Sequence, residues 1–392
     1  MSRTVQRITV SGYKSIEKVE LDLGRITVLV GPNGAGKSNL IEAVELLGRV
    51  ADQDLRLEVG LRGGAEAMLH DGAKGPAARM VLRVEAVDGG VRNAYEATLV
   101  PAAQGELIFE SEVVEFHDSA RSEEPWTEVI GQGHRESRLT AEAEKGRRTG
   151  VAARHTLRIL HGCRVYHFQD TTANAPVKQA GYASDSVALR PDAGNLAAFL
   201  LRLREEHTAE YRGIVRTVQS VAPFFRDFVL TEDTSGRVRL RWKQTDSDTV
   251  FPAEALSDGT LRFICLTTLL LQPEPPALLV LDEPELGLHP FAITVLAELL
   301  RSASSRSQVL AATQSVTLLD EFELGELVVA ERADGSTRIR RPDPEELAVW
   351  LDDYSLGDLW LKNLLGGRPK PDQPHRAAVT AGFQRLRQPT PC

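Results

Sequence analysis

The sequence predicts an α/β fold in which a parallel sheet carries a phosphate-gripping loop, and three features predict it. An apolar strand from Ile26 to Val30 enters a glycine-rich loop that opens a helix from Lys37 to about Val50, where Leu40, Ile41, Val44 and Leu47 repeat at helical spacing. A second, fully apolar strand, Ala277 to Leu281, ends in the carboxylates Asp282 and Glu283. Strand and helix then alternate through Phe291 to Leu300, Val309 to Ala312, Val316 to Phe322 and Leu327 to Ala330. That order makes parallel strands covered by helices.

In chain order, Val5 to Val10 and Val19 to Leu23 read as strands, with Gly12 and Gly24 as separators. Met80 to Val87, Val91 to Val100 and Leu107 to Phe116 form an antiparallel layer punctuated by Asp88-Gly89-Gly90 and Gln104-Gly105. The charged stretch 118–150 is assigned no fold. Arg164 to Phe168 reads as a strand, and Asn195 to Val221 carries one helical period. Phe224 to Leu230 and Val238 to Trp242 resemble a hairpin across Ser235-Gly236. The expected divisions are 1–50, the first part of the nucleotide core; 51–160, an inserted β-rich and charged segment; and 161–255, a helical and β lobe. They continue with 256–331, the second part of the core; 332–366, a strand and helices; and 367–392, a flexible basic tail.

Composition limits the classes. Hydrophobic residues are 42% and charged residues 26%, as in folded globular proteins. No apolar run is long enough to span a bilayer, so a cytoplasmic protein without membrane contact is expected. Cys163, Cys265 and Cys392 are too few and too scattered for a disulfide framework. A net charge of −9 requires any nucleic-acid contact to use a local basic patch.

Gly31-Pro32-Asn33-Gly34-Ala35-Gly36-Lys37-Ser38 satisfies the phosphate-loop pattern in the strand–loop–helix setting that its mechanism needs. Its glycines let backbone N–H groups converge on an anion, and the helix start adds a positive end. Asn33, Gly34, Gly36, Lys37, Ser38 and Asn39 are the expected phosphate contacts, with the Ser38 hydroxyl also on Mg²⁺. At the C-terminal edge of the second strand, Asp282 suits a metal ion and Glu283 suits a general base that activates water.

Leu256-Ser257-Asp258-Gly259-Thr260, just before an apolar helical run, resembles the ABC signature Leu-Ser-Gly-Gly-Gln and departs from it at the third and fifth positions. Ser257 and Gly259 either grip a phosphate or simply cap the helix. Gly12-Tyr13-Lys14-Ser15-Ile16 and Asp282-Glu283-Pro284-Glu285-Leu286-Gly287-Leu288-His289-Pro290 are similar to the RecF and SMC branch of ABC ATPases. The resemblance implies an ABC-type P-loop NTPase head with a mixed central sheet, an antiparallel β layer and a helical signature lobe. It implies ATP and Mg²⁺ as ligands, a D-loop at Glu285 to Leu288, and two sites shared across an ATP-dependent homodimer.

Gln314 stands where that family has a switch histidine; it can hydrogen-bond a phosphate or water but cannot become cationic, and a plain polar strand end is the alternative. Gln169, directly after its strand, is the candidate Q-loop residue on Mg²⁺, with a loop residue of no role as the alternative. Arg62-Gly63-Gly64 is read either as a cationic loop near the phosphates or as an exposed turn. The chain lacks the coiled coil of true SMC proteins and shows no nuclease cluster. Three functions stay open: a switching ATPase acting on a separate effector chain in a defence or toxin-control system, a RecF-like ATPase on DNA, and a binding module whose nucleotide is structural.

Overall fold

The structure, a computed structural model, describes residues 4–72, 75–88, 90–118 and 124–367. Nearly all of the expected tail 367–392 and part of the charged stretch lie outside the described residues.

The chain opens with β1 (Thr4–Tyr13), β2 (Ile16–Asp22), β3 (Ile26–Val30), α1 (Lys37–Ala51) and α2 (Leu55–Leu61). β4 (Met80–Asp88), β5 (Val91–Pro101), β6 (Leu107–His117) and β7 (Trp126–Gly131) follow, then α3 (Leu139–Ala143), α4 (Arg148–Leu160) and β8 (Cys163–Tyr166). The second lobe holds α5 (Leu196–Glu206), α6 (Thr208–Val221), β9 (Phe225–Phe228), β10 (Arg241–Gln244), β11 (Val250–Pro252) and α7 (Asp258–Leu271). β12 (Leu278–Asp282), α8 (Pro290–Ser304), β13 (Gln308–Thr313), α9 (Val316–Leu319), β14 (Leu327–Ala333), β15 (Ser336–Arg340), α10 (Pro344–Leu351) and α11 (Leu356–Leu361) complete it.

The central sheet has the order β8-β12-β13-β3-β14-β15, parallel except for the β14–β15 hairpin. Its apolar runs are explained by burial on both faces. Leu278, Val280, Leu310 and Ala312 join α1 and the antiparallel sheet in one core. Their neighbours Leu279, Leu281, Val309 and Ala311 join the helical lobe in another. Strand alternation thus shares each central strand between two cores.

Five expectations need correction. The stretch 51–160 is not a separate inserted layer, because β4 pairs with β1 in a single antiparallel sheet of order β2-β1-β4-β5-β6-β7. The separator after the first strand is the Lys14-Ser15 turn, while Gly12 lies inside β1. The stretch 118–150 contains β7, α3 and the start of α4. Its polar residues are held by distant partners: the fully buried Glu112 accepts from Tyr95, His134, Ser137 and the Arg138 N–H, and Glu136 accepts from the first N–H groups of α2. The helical period 195–221 breaks into two helices at His207, whose φ of −133° and ψ of 55° are not helical. The expected hairpin forms as β9 against β10, with β11 added on its far side and Val238 pairing instead with Gly181.

Candidate nucleotide site

The phosphate loop joins β3 to α1 at the C-terminal edge of the central sheet. Gly34 and Gly36 have φ of 81° and 95°, left-handed values that favour glycine. At Gly36 a Cβ would also overlap the hydroxyls of Thr337 and Ser15. Those hydroxyls bond each other at 2.6 Å, and Asn39 Nδ2 donates to Ser15 Oγ at 2.6 Å. Asn39, expected on the phosphates, therefore uses its amide to fasten the loop to the β1–β2 turn and β15. Asn33, Gly34 and Ser38 are exposed at the loop surface.

Lys37 is buried and donates from Nζ to Gly31 O at 2.7 Å. Burial pulls its pKa below the usual lysine value, and the carboxylates of Glu283, Asp282 and Glu285 oppose that shift. A lysine folded onto its own loop carbonyls beside three carboxylates is poised to turn to an anion.

β12 delivers Asp282 and Glu283 beside this loop. Burial raises the Asp282 pKa, and the neighbouring Ser38 hydroxyl opposes that shift. Asp282 Oδ1 is buried without a hydrogen-bond partner among the described residues. A hard oxygen left unsatisfied next to a serine hydroxyl fits a Mg²⁺ ligand pair, so Ser38 and Asp282 are the residues that would hold the metal. Gln169 Nε2 donates to Asp282 O at 3.3 Å, so the candidate Q-loop residue reaches this strand end. Glu283 takes a left-handed φ of 46°, a strained backbone of the kind found at working sites. Gln314 Nε2 donates to Glu283 Oε1 at 2.9 Å across two strand ends. The structure therefore joins the two expected catalytic residues to each other.

Ser257 caps α7 by accepting from Thr260 N at 3.2 Å, so the capping alternative is met as geometry. Gly259 is required by close packing, because a Cβ there would overlap Gly287 O in the D-loop segment. Arg262 knits the region together, donating to Leu286 O at 2.9 Å and to Gln169 O at 2.8 Å. Arg262 carries no role in the sequence reading, and Glu285 enters it only as the start of the D-loop segment. Glu285 is buried, takes a hydrogen bond from the Thr313 hydroxyl at the end of β13, and has a pKa raised by burial. The same Thr313 oxygen accepts from Ser315 N at 2.9 Å, which fixes the loop that carries Gln314. Sequence spacing holds no sign of these bonds, which join different strand ends.

Arg62 is not an exposed turn residue. It is paired with Glu58, Glu42 and Glu45 and donates to Tyr13 Oη at 3.2 Å. Three carboxylates occupy its guanidinium, so the structure assigns it a packing task. Cys163 and Cys265 are buried free thiols, both pushed up to about 12. No helix among the described residues is long and apolar enough to cross a membrane.

A family model described as "AAA domain, putative AbiEii toxin, Type IV TA system" matches residues 26–73 and 175–320. Short segments resemble the OLD nuclease of Thermus scotoductus, 40% identical over 43 residues, 11% of this chain and 8% of that protein. Others resemble the chromosome partition protein Smc of Methanocaldococcus jannaschii, 40% over 55 residues, 14% of this chain and 5% of the relative. The Smc of Desulfitobacterium hafniense matches at 46% over 55 residues, 13% and 5%. The chain thus spans under a tenth of the curated relatives it matches. Among solved structures, an Smc head bound to the C-winged helix domain of ScpA superposes with a TM-score of 0.57 at 15% identity, covering 86% of this chain and 97% of that one. An Smc head from Pyrococcus furiosus with an extended coiled coil gives 0.56 at 15%, covering 90% and 99%. Identity that low speaks for a shared fold. The phosphate loop, the strand ending in Asp282 and Glu283, the match to an AAA-domain model and these superpositions together give the chain the fold of an ABC/SMC-like P-loop NTPase head.

Proposed function

We propose that the protein is an ATP-hydrolysing switch that closes head to tail with a second copy around two ATP–Mg²⁺ and thereby gates a separate effector chain. The observation that carries hydrolysis is the Gln314–Glu283 hydrogen bond beside the Lys37 loop, which orients a carboxylate to take a proton from water. Mg²⁺ would supply charge neutralisation on the phosphates; Ser38 and Asp282 would hold it, with Gln169 beside them.

Shared sites are supported by where the signature segment sits. Gly259 packs on its own D-loop, and the Ser257 hydrogen bonds run to Thr260 within its own helix cap. In this reading the phosphate gripped by Ser257 and Gly259 is that of another copy. Leu286 and Phe291 stand 45% and 53% exposed beside that segment, apolar surface suited to burial in such a dimer. The family description, which names a putative toxin, supports placing the switch in a cytoplasmic defence or toxin-control system.

A RecF-like role on DNA is the second reading, favoured by the exposed cations Arg148 and Arg154 on α4 and Arg147 just before it, in a chain of net charge −9. Steady-state ATP turnover with and without linear duplex DNA at two salt concentrations separates the readings, with Glu283→Gln as the blank. Several-fold stimulation that fades as salt rises favours DNA, whereas indifference to DNA favours a partner-gated switch. Turnover in the blank equal to that of the parent chain would remove the hydrolytic reading itself.

A further inference from the structure

At the C-terminal end of the described chain, an apolar ridge lies among unneutralised carboxylates. On α10 only Leu347 is buried, while Val349 and Trp350 are 77% and 41% exposed and Leu351 is exposed beside them. Asp343, Glu345, Glu346, Asp352 and Asp353 surround the ridge, all exposed. Among the described residues none of these five forms an ion pair, although Asp343 caps α10 by accepting from Glu345 N at 2.9 Å. The preceding arginines are engaged elsewhere, Arg340 with Leu365 O and Arg341 with Gly325 O and Asp22 O. Like charges around exposed tryptophan and aliphatic surface call for a cationic, amphipathic cover.

The chain itself carries such a segment. Residues 368–392 hold Arg368, Lys370, Arg376, Arg385 and Arg387 against the single carboxylate Asp372. After Pro374, residues 375–388 are free of proline and place Val379, Phe383 and Leu386 at the i, i+4, i+7 spacing of one helix face. Trp350 lies 6.1 Å from Tyr354, and Lys362 stands 4.8 Å over that ring. Five residues later Gly367 packs against Trp360 and Val329, so residues 368–392 continue from a point only five residues past Lys362. The proline-rich stretch to Pro374 spans roughly 20 Å if extended at about 3.1 Å per residue, enough to turn back onto α10. Tethering at that distance gives an effective concentration on the order of millimolar, so a weak intrinsic affinity suffices.

We propose that residues 376–388 dock on α10 of their own chain, laying Val379, Phe383 and Leu386 on the Val349–Leu351 ridge and the arginines on the surrounding carboxylates. Hydrogen–deuterium exchange on the full chain tests this. In the parent protein the amides of 344–354 should exchange at least tenfold more slowly than in a chain carrying Arg376→Glu, Arg385→Glu and Arg387→Glu. Adding Glu346→Arg, Asp352→Arg and Asp353→Arg to that chain should restore the protection. Because the acid replacements could disturb α10, acrylamide quenching of Trp350, isolated by difference against Trp350→Phe, provides a second readout. Trp350 should be less quenched in the parent than in the Arg-to-Glu chain. Equal exchange and equal quenching in those two chains would overturn the docking. Protection that disappears on hundredfold dilution would assign the cover to another copy and overturn docking within one chain.

Discussion

If Gln314 acts by orienting Glu283, removing its amide should slow hydrolysis only while the carboxylate is present. The 2.9 Å bond pairs an amide donor with a carboxylate acceptor at a solvent-accessible edge. Hydrogen bonds to charged groups are worth about 1.5–3 kcal/mol when buried, and exposure reduces this one to about 1–1.5 kcal/mol. At about 1.4 kcal/mol per decade, Gln314→Ala should cost roughly five- to tenfold in turnover. Glu283→Gln removes the base itself and should cost about 10² to 10⁴. In the double variant the second change should add less than about twofold, because the two act as one unit. Single-turnover ATP hydrolysis gives the rates, and a fluorescent ATP analogue measures nucleotide affinity, which should hold within about threefold throughout. Costs that multiply in the double variant would refute the coupling and leave Gln314 acting separately on the nucleotide.

Three further outcomes follow from the geometry. Ser257→Asp should preserve the α7 cap, since aspartate caps about as well as serine, with thermal stability within about 0.5 kcal/mol; ATP-dependent dimerisation, read by light scattering, should be lost as a carboxylate meets phosphate. If assembly survives in that variant, Ser257 is a cap and nothing more. Glu285 has a pKa raised by burial, so the folded state holds its proton more tightly than the unfolded state does, and the residue costs stability as pH rises above the unfolded carboxylate range. Glu285→Gln should therefore raise the melting temperature at pH 8 and lose that advantage near pH 4, with the amide still accepting from Thr313; a shift independent of pH would contradict the assignment. Glu112→Ala should destabilise by about 3–5 kcal/mol in urea unfolding, because it leaves His134, Ser137 and the Arg138 N–H without their shared buried acceptor. A loss under about 1 kcal/mol would mean that the 124–150 segment is held by other contacts.

Chemistry carried within contiguous residues is legible in the chain alone. The phosphate loop needs its glycines, Lys37 and Ser38 within eight positions, and Asp282-Glu283 needs only an apolar strand before it, so both are legible from spacing and periodicity. The two-faced burial of the central strands was legible for the same reason, since continuous apolar runs leave no face for water. Which strand ends stand side by side is settled only when the sheet assembles, and most of the site's bonds depend on that order. Gln314 meets Glu283 because β13 adjoins β12, and Gln169 reaches Asp282 because β8 adjoins it on the other side. Arg262 joining Leu286 to Gln169, and Ser15 and Thr337 closing on Asn39, are likewise bonds between residues far apart in the chain. The stretch 118–150 looked unstructured for a related reason: its polar residues are satisfied by Glu112 and by the start of α2, partners that local composition does not reveal. Periodicity reports what a residue does to its neighbours in sequence, whereas strand order and long-range hydrogen bonds are decided when the two cores close on opposite faces of one sheet.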